Sequence, residues 1–207
     1  MKLKRAAIGV GCLALSLAGC ERATTGQRIP IYDHPQVALV LVDLQKEFLD
    51  PGGPRAVAPG QVAPMLAAAN RLVENARSLG VELVYVESGA SPEGALDPRL
   101  QHPNGPVFRK ERADAFSNPE LEAFLQSRAV DHLLLAGVFA ERSVYYTAAG
   151  AMNRGYKVQV VRDAVAGASD ARRAHALGAL EREGVELIDS DRALADWVRR
   201  KKYLGSR

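Results

Sequence analysis

Short apolar runs alternate with amphipathic stretches along most of this chain. VALVLV at 37–42 and HLLLAGV at 132–138 are continuous apolar runs, the pattern of strands buried on both faces. VELVYV (81–86), VFRK (107–110), KVQVV (157–161) and VELI (185–188) read as four further strands. Between them the apolar positions change to helical spacing. Val62, Leu66, Ala69, Leu72, Val73, Ala76 and Leu79 share one face of a helix over 59–80, stopped by Gly80. Asn118-Pro119-Glu120 is a helix start, with a capping side chain, proline at the first helical position and then an acid. That spacing predicts a helix over 118–129, and others follow over 142–154, 170–183 and 191–202. Strands alternating with helices predict a three-layer α/β/α sandwich on a mostly parallel, Rossmann-like sheet of six strands. The Gly- and Pro-rich stretch 87–106 reads as a long loop, and loops of that length are often functional.

Residues 1–36 stand outside this pattern. A basic start (Lys2, Lys4, Arg5) precedes an apolar run over 6–19 that is short for a membrane span and fits an export signal. Leu17-Ala18-Gly19-Cys20 resembles a bacterial lipoprotein lipobox. The resemblance implies cleavage before Cys20, lipidation there, and a polar tether over 20–36 ahead of a domain over 37–207. Glu21 stands where lipoproteins kept at the inner membrane usually carry Asp, so the resemblance favours the outer membrane, on the periplasmic face of a bacterial envelope.

The charge balance changes with that reading. The full chain has 27 Lys and Arg against 24 Asp and Glu; removing 1–19 takes three cations and no acid, and the remainder is neutral. Nothing then argues for nucleic-acid binding. Arg199-Arg200-Lys201-Lys202 reads as a solvated helix end, where cations suit the helix dipole. Cys12 and Cys20 are the two cysteines, so the domain has neither a disulfide nor a thiol nucleophile.

Three of the strands lead to polar residues of chemical interest: Asp43, Lys110 and Ser143. In parallel sheets the carboxyl ends of strands gather in one crevice, so an acid, an ammonium and a hydroxyl are expected to meet. Each alone is bland, as a cap or a surface charge. GVFAERS also opens a helix directly after the most apolar strand, and unpaired N–H groups there suit an anion or oxyanion.

ALVLVDLQKEFLDPGG, FRKERADAF and LLLAGVFAERSVYYTAAGAMNRGYKVQVVRDAVAG together resemble the isochorismatase-like hydrolase superfamily over about residues 37–190. The resemblance implies hydrolysis of a small amide, carbamoyl or vinyl-ether substrate, with Asp43 as acid/base and Lys110 as its cationic partner. The family's nucleophilic Cys falls on Ser143, and its non-proline cis peptide on Val138-Phe139. Substrate would then lie against Val138, Phe139, Ala140, Glu141 and Arg142, with the N–H groups of Ala140 to Ser143 as candidate oxyanion donors. Phe48, Phe116 and Phe139 are candidate walls, and Arg109 and Arg112 candidate binders of a carboxylate.

Ser at the Cys position is the main departure. A thiol, with a reference pKa of about 8.5, is readily ionised by such neighbours, whereas serine normally needs a neutral nitrogen base. An ammonium held beside a carboxylate keeps its proton and is a poor base. Three readings stay open: Cys-independent hydrolysis through Asp43, with Phe139-Ala140 similar to the Tyr-Ala of true isochorismatases; hydrolysis by Ser143; or a non-catalytic, small-molecule-binding lipoprotein. The metal triad of the family's nicotinamidases is an Asp with two His, but the matching Glu87-Ser88-Gly89-Ala90 has no His until His102, and His34, His132 and His175 are scattered. No metal and no cofactor are expected. Expected partners are a small-molecule substrate, the membrane through lipidated Cys20, and a second copy of the chain, since the superfamily often forms oligomers, with Tyr145, Tyr146 and Trp197 as candidate interface residues.

Overall fold

A computed structural model of the chain describes residues 36–53, 55–89, 95–101 and 105–206; the expected export signal, Cys20, the tether to residue 35, His34 and His102 lie outside them. The architecture follows from the two most apolar runs. β1 (Val37–Val42) is buried at all six positions, and β4 (His132–Val138) at all but the first. Successive side chains of a strand point to opposite faces. Ala38, Val40 and Val42 of β1, with Leu133 and Leu135 of β4, enter one core, while Leu39, Leu41, Leu134, Ala136 and Val138 enter the other.

These two strands pair in parallel at the centre of the sheet, with Val37 opposite His132 and Val42 opposite Gly137. β2 (Glu82–Ser88) and β3 (Val107–Lys110) extend it on one side, β5 (Lys157–Ala166) and β6 (Glu186–Ile188) on the other. The order is β3-β2-β1-β4-β5-β6 and every pairing is parallel. The helices are α1 (Lys46–Leu49), α2 (Pro59–Ala76), α3 (Pro119–Ser127), α4 (Tyr145–Met152), α5 (Asp170–Arg182) and α6 (Ser190–Gly205). α2 and α6 cover one face, and α3, α4 and α5 the other. This is the α/β/α sandwich that the alternating pattern predicts. Chain order reverses direction between β1 and β4, and such a switch point opens a crevice at the strands' carboxyl ends.

Local chemistry sets the helix boundaries. Asn118 accepts from the Glu120 N–H at 2.9 Å and starts α3; Ser169 and Asp189 cap α5 and α6 in the same way. The structure departs from the sequence pattern in three places. β5 continues five residues past Val161, because a register shift against β4 absorbs the polar pair Arg162-Asp163. The Asp163 carboxylate there accepts from both the N–H and the hydroxyl of Ser190, at 2.8 and 2.6 Å. The helix expected from 142 opens instead with a π-helical turn, Ala140–Val144, before α4. Trp197, a candidate interface residue, is 2% exposed in the core beneath α6, because the apolar face of that helix packs on α2.

One stretch of the long connection is pinned to the end of β1. Asp97 donates its N–H to the Leu44 carbonyl at 2.8 Å, and Lys46 donates to Ala95 at 3.2 Å. The buried Asp97 carboxylate holds Arg99 through its N–H, Nε and Nη2 at 2.9, 2.8 and 2.6 Å. Burial pushes the carboxyl up, but the Arg99 bonds and charge outweigh it and hold it below the usual aspartate range. Asp97→Asn is therefore expected to cost about 1–3 kcal/mol at neutral pH. A depressed carboxylate stabilises above its unfolded pKa and loses that stability as pH falls through its folded one. The gap in Tm between wild type and variant should accordingly close below pH ~4 in a melting series; a constant gap would refute this account.

Candidate active site

Asp43 follows the last residue of β1. Its N–H still donates to the Val86 carbonyl of β2 at 2.8 Å, and its φ of +53° then turns the chain out of the sheet. Asp tolerates that left-handed conformation better than most residues, at a cost of about 1 kcal/mol. Lys110 is the last residue of β3, on the far side of β2. Ser143 comes from the π-helical turn after β4. The three converge. Lys110 Nζ donates to Asp43 Oδ2 at 2.8 Å and to Ser143 Oγ at 3.2 Å, and all three residues are buried.

The electrostatics of this trio are finely opposed. Burial pushes the Asp43 carboxyl above its ordinary value, against the charge and hydrogen bond of Lys110, the Ser143 hydroxyl and the more distant Arg142 guanidinium. Asp43 Oδ1 is buried with no hydrogen-bond partner among the described residues. A buried acceptor left unpaired costs free energy, which a bound donor would recover.

The trio forms the floor of a cavity of about 370 Å³. Phe48 and Phe139 pack edge-to-face at 5.6 Å on its wall. The peptide between Val138 and Phe139 is cis. The Phe139 carbonyl accepts the N–H groups of Arg142 and Val144 at 3.0 and 3.1 Å. Arg142 N–H is therefore spent and is corrected as an oxyanion donor; Ala140, Glu141 and Ser143 remain as the turn's candidates.

Other expectations also change. Phe116 does not line the cavity. Asp114 caps the short 3-10 turn Ala115–Ser117, which buries Phe116 in the core against Tyr156 at 5.7 Å under the Arg154 guanidinium. Val138 is fully buried in the sheet and is not a lining residue. Arg109 lies outside the cavity and faces Glu87 at 3.9 Å, whereas Arg112 lines it. Among the described residues no three His, Cys, Asp or Glu side chains gather so as to hold a metal ion.

Several contributors lacked any sequence signal. Arg55 and Glu111 line the cavity from two connections, and Arg172 from the first turn of α5. Buried Gln45 fixes the end of β2, accepting the Ser88 N–H at 2.8 Å. Gln61 accepts the Gly167 N–H at 2.9 Å and donates to Asp170 at 2.7 Å, which ties the start of α5 to α2. Thr147 accepts the Ala115 N–H at 3.0 Å and holds the segment after Lys110 against α4.

Comparison with known proteins places these features in a wider set. The model of the isochorismatase domain matches residues 37–192. The chain is 32% identical over 138 residues to a streptothricin hydrolase of Streptomyces noursei, covering 61% of this chain and 48% of that protein. It is 28% identical over 165 residues to a maleamate amidohydrolase of Pseudomonas putida, covering 68% and 76% respectively. The chain thus spans about half the length of the streptothricin hydrolase it matches. The crystal structure of an isochorismatase family protein from Desulfovibrio vulgaris superposes with a TM-score of 0.72 at 23% identity, over 80% of this chain and 100% of that one.

Proposed function

The chain belongs to the isochorismatase family, and from that premise we propose that it is a hydrolase of a small amide, carbamoyl or vinyl-ether substrate in which Asp43 moves the proton and water is the nucleophile. The observation that carries this reading is the state of Asp43: one carboxyl oxygen on the Lys110 ammonium, the other buried and unpartnered at the cavity floor. Hydrolytic relatives such as the streptothricin hydrolase and the maleamate amidohydrolase support the reaction class.

For an amide or carbamoyl group, Asp43 takes a proton from water as the water oxygen bonds to the carbonyl carbon. The carbonyl electron pair moves onto oxygen, beside the N–H groups that open the π-helical turn. Asp43 then returns the proton to the leaving nitrogen as the C–N bond breaks. For a vinyl ether, the Asp43 proton goes first to the alkene carbon; water adds to the resulting cation and gives its proton to Asp43, and the hemiketal then breaks its C–O bond to release the alcohol and leave a carbonyl.

Ser143 acts in this reading as a holder of the ammonium. Its oxygen accepts from Lys110, and among the described residues no histidine lines the cavity to serve as a neutral base. Mass spectrometry of the protein with a panel of amides, carbamoyl compounds and vinyl ethers tests the proposal, run beside Ser143→Ala. Turnover should survive in Ser143→Ala within about tenfold, because the general acid–base contribution is retained. A loss beyond a hundredfold in a folded Ser143→Ala protein would make the serine the nucleophile, and silence across the panel in wild type and a Ser143→Cys variant would favour a binding protein.

A further inference from the structure

The charge around the cavity is lopsided. Five cationic side chains line it (Arg55, Lys110, Arg112, Arg142 and Arg172) against the acids Asp43, Glu111 and Glu141. The acids are partly committed already. Asp43 is bonded to Lys110, and Glu141 Oε1 accepts the Ala168 N–H at 3.1 Å. The arginines are not equally committed. Arg55 faces Glu47 at 2.7 Å and stacks over Phe48. Among the described residues, Arg112, Arg142 and Arg172 form no ion pair with any carboxylate, although arginines elsewhere, such as Arg71, Arg99, Arg154 and Arg192, do.

These three guanidinium groups come from the connection after β3, the π-helical turn and the first turn of α5. They converge because the parts that carry them are fastened: Thr147 holds the first segment, and Gln61 holds the start of α5 through Gly167 and Asp170. The three exposed arginines outnumber Glu111 and Glu141 at this opening, and the positive potential they leave there favours an entering anion. A guanidinium presents a planar fork of donors that matches a carboxylate in bidentate fashion. Low-dielectric walls also focus the field of such a cluster on the cleft.

We infer that this cavity takes a substrate bearing a carboxylate, held at the mouth by Arg112, Arg142 and Arg172 with its scissile group over Asp43. The inference rests on the hydrolase reading for the identity of the reacting group, but the anion site stands on the arginines alone. A volume of about 370 Å³ suits a small acid and excludes a polymer from the floor.

Titration calorimetry of the purified protein separates the two ideas. The probes are succinate and benzoate, each beside its neutral amide, succinamide and benzamide. At least one carboxylate should bind about tenfold or more tightly than its amide, and raising the salt should weaken it. Arg142→Gln and Arg172→Gln should each lower that affinity by about tenfold, whereas Arg77→Gln, remote from the cavity, should not. If neither carboxylate outbinds its amide, or if both cavity variants bind as wild type does, the inference is overturned. Ammonia release from succinamate is followed in parallel. Carboxylate binding without turnover would uphold the anion site and count against the hydrolase; turnover of neutral amides without carboxylate preference would do the reverse.

Discussion

Asp43→Asn should lower turnover by about 10²- to 10⁴-fold, the usual contribution of a positioned acid or base. The substitution keeps the shape of the side chain and an oxygen for Lys110, but removes the group that carries the proton. Circular dichroism should show a folded protein, so the loss reads on chemistry. The pH profile of the wild type adds a sign. Burial lifts the Asp43 carboxyl above the ordinary aspartate range, so the inflection in kcat/KM should lie above pH ~4. If an amide is cleaved, Asp43 acts first as a base and the rate climbs as pH rises through that value. If a vinyl ether is cleaved, Asp43 acts first as an acid and the rate falls over the same interval. Asp43→Asn should flatten either limb. Undiminished turnover in the variant would remove Asp43 from the mechanism.

Gly137→Ala should cost the fold about 4 kcal/mol or more, at the extreme of single substitutions. Gly137 has a φ of +123° and sits in β4 directly against β1. A Cβ there would lie 2.0 Å from the Val42 carbonyl oxygen and 2.8 Å from the Val42 backbone carbon and nitrogen. Backbone cannot swing aside as a side chain can, and the clash falls one residue before Asp43. Gly155→Ala is the matched control: its φ of +84° is also left-handed, yet nothing lies within 4 Å of its would-be Cβ. That variant should lose only about 1–2 kcal/mol, from backbone strain alone. Chemical denaturation of the two side by side decides the matter; equal losses would show that the close approach of β1 and β4 is softer than the geometry implies.

How much of this was legible beforehand depended on whether the determining signal was local. β1 and β4 were readable because burial on both faces removes polar residues from the run itself. α2 was readable because its buried face repeats within a single segment. Asp43, Lys110 and Ser143 could be brought together because strand ends in a parallel sheet share one side, a rule that needs no strand order. The arginine cluster was readable only in part: Arg112 stood out as a candidate carboxylate binder and Arg142 as a candidate substrate contact, while Arg55 and Arg172 gave no signal. Arg55, Arg112, Arg142 and Arg172 share no spacing, and their convergence depends on the long-range bonds of Gln61 and Thr147. Phe116, a candidate wall, lies in the core because the turn capped by Asp114 rotates it there, and nothing local in the sequence separates a wall aromatic from a core one. β5 was cut short because Arg162-Asp163 looks like a strand end, although the sheet bulges around it. The expected lipid anchor rests on the N-terminal residues alone.

The central pair of strands also governs what happens when the protein opens. VALVLV and LLLAGV are uncharged six-residue segments without proline and rich in β-branched or large aliphatic residues. Such segments stack into dry intermolecular zippers once exposed. In the folded chain each is paired on both sides and covered on both faces, so neither offers an edge. An unfolded chain offers both at once, and association then competes with refolding. The working lifetime of this protein is therefore set by how rarely the β1–β4 seam parts, a rate rather than an equilibrium.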